Sequence, residues 1–459
     1  MSPPANTNYG RDQNINHGHQ YISNGPLTVN NQDDSNPPAG ESFSRQRRLP
    51  SSDNPAMTEV SVLERLLPHI APNAIHNAKA RANRHECLPG TRTGIIGKLG
   101  EWIEDPANGR VQWVSAGAGV GKTAIAQTLC QKYAASLLAA SHFFSRNDST
   151  RDNMDTFVLT IAYQLASCPV LGPHLADAID NVLRHDPNIV DADWGDQFER
   201  LVSGPCSQVD PALWKTLPRL VIIDGLDECM DTHKSKEKRD PLGVWEQEGQ
   251  AKLLAMIKST ATASSTFPLR FMIFSRPERT ILSFFETHHI AGLKHLDITG
   301  LHEEAREDIQ LYLRHEFARV RTLHPHARLD ESWPGEKVIG VLTTMSDGQF
   351  IYVVTVIKYI TEGGSSLQLP QVRLEIVLHP TPSNYPNLSA LDQLYHLILE
   401  PLYISRKQLL PALQLILGPP SNPVKELGPS WEFNTLSLDD MALVLKLDSR
   451  QVSGMLSRL

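Results

Sequence analysis

The chain has 459 residues, of which 41% are hydrophobic and 20% charged, with a formal net charge of −8 at pH 7. That length and apolar content predict a globular protein of several domains, and the acidic balance argues against a nucleic acid or anionic lipid partner. Five cysteines without C-x-x-C spacing suggest neither a disulfide framework nor a paired-cysteine zinc site, so we expect a reducing, cytoplasmic location. We also expect no membrane span, because the longest apolar run is far too short to cross a bilayer.

The first 108 residues divide into a polar arm and a helical lead-in. Residues 1–55 are rich in Asn, Ser, Pro and Gly and have few large apolar side chains, a composition that predicts disorder. Helical spacing of apolar residues begins at Met57, and a second amphipathic stretch runs from Ile95 to Ile103. We therefore expect a helical segment over 56–108 that leads to the first strand.

Strands alternate with helices over residues 109–302, which predicts an α/β fold with a doubly wound parallel sheet and helices on both faces. The expected strands are Val111–Val114, Ala139–Phe144, Arg219–Ile223, Leu269–Phe274 and His295–Gly300. The expected helices run from Thr123 to about Leu138 and over 154–167, 171–184, 195–203 and 249–262. The polar segment Cys229–Gly249 is expected to be an exposed loop.

The remainder of the chain has a helical pattern. Residues 303–402 are predicted to form a helical domain, with helices over 303–320, 335–345, 348–361 and 390–402. Apolar helical spacing also occurs in the last segment, residues 403–459.

A phosphate-binding loop follows the first expected strand. It reads Ala116-Gly117-Ala118-Gly119-Val120-Gly121-Lys122-Thr123, and a helix starts at its end. Glycines allow successive backbone N–H groups to turn toward a phosphate, and the helix directs its positive dipole end at the same anion. Lys122 supplies a charge for the outer phosphates and Thr123 a hydroxyl for Mg²⁺. We therefore expect ATP or GTP to bind with Mg²⁺ at Gly117, Ala118, Gly119, Val120, Gly121, Lys122, Thr123 and Ala124.

An acidic block follows the expected strand Arg219–Ile223. It reads Asp224-Gly225-Leu226-Asp227-Glu228, and ligands of open α/β sheets bind at the carboxyl ends of the strands. Asp224 is expected to hold Mg²⁺ together with Thr123, and Asp227 or Glu228 to polarise the water that attacks the terminal phosphate. Carboxylates this close repel one another, which favours a bound cation over a solvated acidic turn.

A third motif, Phe274-Ser275-Arg276-Pro277-Glu278, also follows an expected buried strand. An arginine at this position is expected to reach the outer phosphate as a bidentate donor and so to register whether that phosphate is present. The motif alone is weak, because Pro277 equally suits the start of a helix and Arg276 an ion pair with a nearby acid.

Together and in this order, the motifs resemble those of the NACHT family of signal-transducing P-loop ATPases. This is a STAND-class family of NOD-like-receptor type, and the resemblance is to its fungal form with a nephrocystin-3-like N-terminal region. It covers about residues 75–405. It rests on the segments Cys87–Arg92, Gly121–Ala126, His142–Arg146, Ile161–Leu165, Asp224–Cys229, Ser275–Glu278 and Gly348–Tyr352.

The resemblance implies a P-loop NTPase domain of the ASCE type over 109–302, a helical domain over 303–402 and a partial winged-helix module over 403–459. It implies a weak Mg-dependent ATPase that acts as a conformational switch, closed as an ADP-bound monomer and open as an ATP-bound homo-oligomer with further protein partners. In fungi, such switches serve non-self recognition or programmed cell death. The histidine that contacts ADP in relatives is expected to lie beyond Leu459, so we expect weaker retention of ADP.

Two other functions stay open from the residues themselves. One is a P-loop kinase for a nucleotide or small molecule, which needs a substrate lid and acceptor-binding residues after the loop. The other is a truncated scaffold that binds nucleotide without hydrolysing it, although Lys122, Thr123, Asp224 and Asp227 are all present.

Overall fold

The structure is a computed structural model that describes residues 61–79, 86–230, 248–263, 267–299, 302–362, 369–379 and 389–399. Three expected segments lie outside these residues: the polar arm over 1–55, most of the loop Cys229–Gly249 and the winged-helix-like segment over 403–459. The motifs that carry the expected chemistry all lie inside them.

A five-stranded parallel sheet organises the first half of the described chain. Its strands are β1 Val111–Ser115, β2 Leu138–Phe143, β3 Leu220–Asp224, β4 Arg270–Ser275 and β5 Lys294–Asp297. Their spatial order is β2-β3-β4-β1-β5, so β4 lies between β1 and β3. All five expected strands are confirmed, but β5 ends at Asp297 rather than at residue 300. It is a largely exposed edge strand, and its pairing with β1 extends over only four residues.

Helices surround the sheet and then form a separate bundle. Those around the sheet are α1 Val62–Leu66, α2 Thr93–Glu104, α3 Lys122–Tyr133, α4 Phe157–Ser167, α5 Gly172–His185, α6 Trp194–Phe198, α7 Gly204–Gln208, α8 Glu248–Ala263 and α9 Arg279–Thr287. A π-helical stretch, Glu199–Ser203, joins α6 to α7. Those of the bundle are α10 His302–Leu323, α11 Glu336–Ser346, α12 Phe350–Glu362, α13 Pro370–Leu378 and α14 Ala390–Leu399.

Side chains alternate between the two faces of the sheet, and each face has its own core. In β3, Val221 and Ile223 belong to one apolar cluster, whereas Leu220 and Ile222 belong to the other. The first cluster joins the sheet to α4, α5, α8 and α9, and the second joins it to α2 and α3. Helices therefore cover both faces, which confirms the predicted doubly wound α/β architecture.

The bundle has a third core of its own, which includes Ile309, Phe317, Leu342 and Val356. Its helix α13 is not predicted from the sequence pattern, because the charged Arg373 interrupts the apolar face. In the structure Arg373 is buried, and its guanidinium donates a hydrogen bond to the carbonyl of Ile360 at 3.2 Å. Within the described ranges, no helix combines the length and the apolarity that crossing a membrane requires.

The turn before β1 leaves no room for a side chain at Gly109. The residue has φ of +75°, and a Cβ there would lie 2.1 Å from the carbonyl oxygen of Gly292. We expect Gly109→Ala to lower the free energy of unfolding by at least about 2 kcal/mol, through backbone strain and overpacking. Gly97 is the matched control, because it lies exposed in α2, where no described residue outside its own helix backbone and chain neighbours places an atom within 4 Å of a Cβ. Gly97→Ala is expected to raise the free energy of unfolding by about 1 kcal/mol. Urea denaturation measures both, and equal stability of the two variants would contradict the close approach.

Candidate functional site

The functional motifs lie at the carboxyl edge of the parallel sheet. The register places Ser115 of β1 beside Ser275 of β4, and Asp224 of β3 beside Phe274. The residues that follow these strands are the phosphate loop, Arg276 and the acidic block, and they lie side by side along this edge. Parallel pairing thus brings together three motifs that are far apart in the sequence.

The phosphate loop connects β1 to α3, which begins at Lys122. Gly119 and Gly121 have φ of +74° and +103°, values that turn the backbone sharply and that side chains disfavour. At Gly117 and Gly121, no described residue beyond the chain neighbours places an atom within 4 Å of the position that a Cβ would take. The loop therefore leaves open space against its backbone and the first turn of α3, where Thr123 and Ala124 lie. This arrangement fits a phosphate group.

Lys122 lies over the loop. Its ammonium donates hydrogen bonds to the carbonyl oxygens of Ala116 and Gly117, both at 2.9 Å. Burial lowers the pKa of the Lys122 ammonium, and the carboxylates of Asp227 and Asp224 oppose that effect. The acidic block therefore acts electrostatically on the lysine that the sequence assigns to the outer phosphates.

The donor set beside the loop suits Mg²⁺ that arrives with a nucleotide. Asp224 ends β3 and is buried, and Thr123 lies in the first turn of α3. In the described part of the chain, no three His, Cys, Asp or Glu side chains cluster closely enough to hold a metal ion alone. Mg²⁺ needs only one or two protein ligands when phosphates and water supply the rest, so Thr123 and Asp224 fit its usual coordination.

Asp227, which is buried, forms an ion pair with Arg276, which is partly exposed. Asp227 is only 2% exposed, and its Oδ1 accepts the backbone N–H of Arg276 at 3.0 Å. Its Oδ2 lies 3.1 Å from Nε of Arg276, whose side chain remains 43% exposed. Both carboxylate oxygens of Asp227 are thus engaged, and Arg276 contacts the acidic block in this conformation.

Glu228 and Arg146 complete the edge of the site. Glu228 is half-buried, and its Oε2 accepts the backbone N–H of Arg146 at 3.2 Å. The guanidinium of Arg146 donates to the carbonyl of Asp227 and lies 3.2 Å from Oε1 of Glu278. Sequence reasoning assigned Arg146 no individual role; its place shortly after the end of β2 is the signal that points to this edge.

Residues 97–276 match the family described as "Nephrocystin 3, N-terminal", and this stretch contains the loop, the acidic block and Arg276. The chain has the fold of a P-loop NTPase.

The chain is also similar to solved structures. One is the Walker-type ATPase paby2304 of Pyrococcus abyssi, with 14% identity and a TM-score of 0.39, covering 82% of this chain and 99% of that one. Another is RuvB, the Holliday junction branch migration motor of Thermotoga maritima, with 10% identity and a TM-score of 0.25, covering 79% and 84%. None of the curated proteins matches the sequence.

The two acids after Leu226 are expected to differ in their importance for stability. Asp227→Asn replaces a buried carboxylate, which accepts one hydrogen bond and forms an ion pair, by a neutral amide, so it should lower the free energy of unfolding by about 1–3 kcal/mol. Glu228→Gln, the matched change at a half-buried neighbour, keeps an acceptor for Arg146 and should stay within about 0.5 kcal/mol of the unmutated protein. Urea denaturation without nucleotide tests both variants. A larger loss for Glu228→Gln would show that the structural anchor is Glu228.

Proposed function

We propose that this chain is a Mg-ATP-binding P-loop NTPase that hydrolyses slowly and changes conformation with its nucleotide. The observation that carries the proposal is the common edge at which the Lys122 loop, Asp224 and Arg276 meet. ATP is the nucleotide we favour, from the NACHT resemblance, and GTP is the alternative.

The loop residues from Gly117 to Ala124 bind the phosphates through backbone N–H groups and the positive end of α3. Lys122 turns from the loop carbonyls to the outer phosphates. Thr123 and Asp224 hold Mg²⁺, which when bound neutralises charge on the phosphates. Because the lysine already lies over the loop, it needs only a local movement to reach a bound anion.

Glu228, rather than Asp227, orients the attacking water. Oδ1 of Asp227 is held by the backbone N–H of Arg276, and the residue is only 2% exposed, so water has little access to it. Glu228 is more accessible, and its Oε2 accepts a 3.2 Å hydrogen bond from the backbone N–H of Arg146. A general base must reach the reacting water directly, which Glu228 can do with the other oxygen.

Arg276 is the part of the site that distinguishes ATP from ADP. Its guanidinium is half-exposed beside Asp227, and a γ-phosphate offers a second anionic partner. A ligand shifts a conformational equilibrium only by its differential affinity, and inverting a 1:99 population takes about 5.5 kcal/mol. When ATP is bound, the guanidinium of Arg276 moves from the carboxylate of Asp227 to the γ-phosphate. This exchange supplies part of the difference in affinity between the two conformations.

The biological role that we propose rests on the NACHT resemblance. The chain is a cytoplasmic signalling switch that assembles as a homo-oligomer when ATP is bound and acts through protein partners, in fungal non-self recognition or programmed cell death. We expect neither nucleic acid nor a membrane among its partners.

Nucleotide binding is expected to stabilise the fold. Mg-ATP at about a hundred times its Kd should add about 2.7 kcal/mol to the free energy of unfolding, a rise of several degrees in Tm. Lys122→Ala should abolish the rise, whereas Lys132→Ala, at the exposed end of the same helix, should keep it. Thermal melting with Mg-ATP and with Mg-GTP measures this and compares the two bases. An unchanged Tm of the unmutated protein with both nucleotides would refute the proposed function.

Hydrolysis is expected to depend on Glu228. Glu228→Gln should lower the ATPase rate by about a hundredfold or more, as for loss of a general base, while the Kd for Mg-ATP stays unchanged. This variant should also accumulate the homo-oligomer in Mg-ATP, as measured by light scattering. Asp227→Asn should lose less activity than Glu228→Gln. The reverse order would assign the water to Asp227, and no detectable hydrolysis by the unmutated protein would favour the non-hydrolysing scaffold.

A further inference from the structure

Two carbonyl groups of the phosphate loop are bound by groups from outside the loop. The carbonyl oxygen of Val120 accepts a hydrogen bond from Nη2 of Arg92 at 2.8 Å. The carbonyl oxygen of Gly119 accepts one from the backbone N–H of Ile351, at 3.1 Å. Ile351 is the second residue of α12, so one of these donors belongs to the helical bundle.

These contacts determine which way the loop peptides face. Both peptide bonds are trans, and in a trans peptide the carbonyl and the N–H point in opposite directions. With the carbonyls of Gly119 and Val120 held on the outside, the N–H groups of Val120 and Gly121 are turned to the other side. Successive N–H groups on one side of a loop are what binds an anion. The outer contacts therefore orient two donors of the phosphate site.

Arg92 connects the loop to two helices of the bundle. It is 3% exposed, and its backbone N–H donates to Oδ2 of Asp308 in α10 at 2.9 Å. Its Nε lies 3.8 Å from the same carboxylate, and its guanidinium carbon lies 4.8 Å from the ring centre of Phe350, at the start of α12. One buried side chain thus contacts Val120, α10 and α12 together.

The bundle also packs directly against the loop at Gly119. A Cβ at this position would lie 2.3 Å from Cγ2 of Ile351. No space is therefore left between α12 and the loop, so a shift of α12 toward the loop would displace the loop backbone.

We infer that Arg92 is a positioning residue that couples the phosphate loop to the helical bundle. When α10 and α12 are docked, Arg92 holds the loop peptides ready to bind phosphate. By reciprocity, bound phosphate stabilises the docked bundle. The inference rests on the proposed nucleotide binding and adds the path by which the bundle senses it.

The chain offers a matched control in Arg270. This arginine is also buried, lies 4.1 Å from the ring centre of Trp102, and donates to the carbonyls of Trp102 and Ile103 at 2.7 and 2.8 Å. Arg270 is the first residue of β4 and so lies at the amino end of this strand, whereas the phosphate loop lies at the carboxyl ends of the strands. Its replacement tests the cost of losing a buried arginine without touching the phosphate site.

The experiment compares Arg92→Met, Arg92→Lys and Arg270→Met in the full chain. The Kd of a fluorescent Mg-ATP analogue and the Tm without nucleotide are measured for each. We expect Arg92→Met to weaken binding about tenfold, equivalent to about 1.4 kcal/mol, and Arg92→Lys to weaken it less. Arg270→Met should lower the Tm and leave the Kd unchanged.

Hydrogen exchange of the peptide that covers Phe350–Val354 gives a second readout. Saturating Mg-ATP should slow exchange there in the unmutated protein, because it strengthens the contact of Ile351 with the loop. In Arg92→Met the slowing should be lost. If this variant does not fold, Arg92→Lys must show both effects in weaker form.

The possible results separate the two proposals. If the unmutated protein binds the analogue and both Arg92 variants have the same Kd as the unmutated protein, the coupling is refuted and the proposed function stands. A lower Tm with an unchanged Kd, or an equal loss of affinity in Arg270→Met, also refutes the coupling. Absence of binding by the unmutated protein refutes the proposed function and the coupling with it.

Discussion

The pairing of β4 between β1 and β3 is the constraint on which the site depends. Parallel strands that are covered on both faces are apolar throughout, and the hydrogen bonds between them hold their carboxyl ends at one level. Ser115 therefore lies beside Ser275, and Asp224 beside Phe274. The backbone, rather than any contact between functional side chains, brings the phosphate loop, Arg276 and the acidic block to one edge.

At that edge, the balance of charge determines what each acid can do. Asp224, Asp227 and Glu228 repel one another, and two arginines that follow neighbouring strands contact Asp227 and Glu228. Arg276 occupies both oxygens of Asp227, and Arg146 contacts the carbonyl of Asp227 and, through its backbone, Glu228. A carboxylate that is fully engaged fixes structure, and one that keeps an oxygen accessible is available for chemistry.

Hydrogen bonds from outside also fix the conformation of the phosphate loop. A glycine-rich loop gains its phosphate affinity from the direction of its peptides, and glycine itself does little to fix that direction. Here, the direction is determined by Arg92, which contacts the bundle, and by Ile351 at the start of α12, which belongs to the bundle. A loop whose shape depends on a neighbouring helical layer is suited to transmit nucleotide binding to that layer.

The sequence by itself determined the local structure: the buried strands, the helices between them, and the residue types of the loop and the acidic block. These follow from apolar periodicity and from the few residues that a phosphate site accepts. It did not predict α13, where Arg373 interrupts the apolar face, and it left Arg276 open between a phosphate and an acid. Only the tertiary structure decided that Arg276 forms an ion pair with Asp227. It also decided that Arg146 contacts Asp227 and Glu228 at the carboxyl edge of the sheet, and that Arg92 donates to the carbonyl of Val120 in the loop. Partners such as these are far apart in the chain and are selected by strand order and helix packing, which no local pattern encodes.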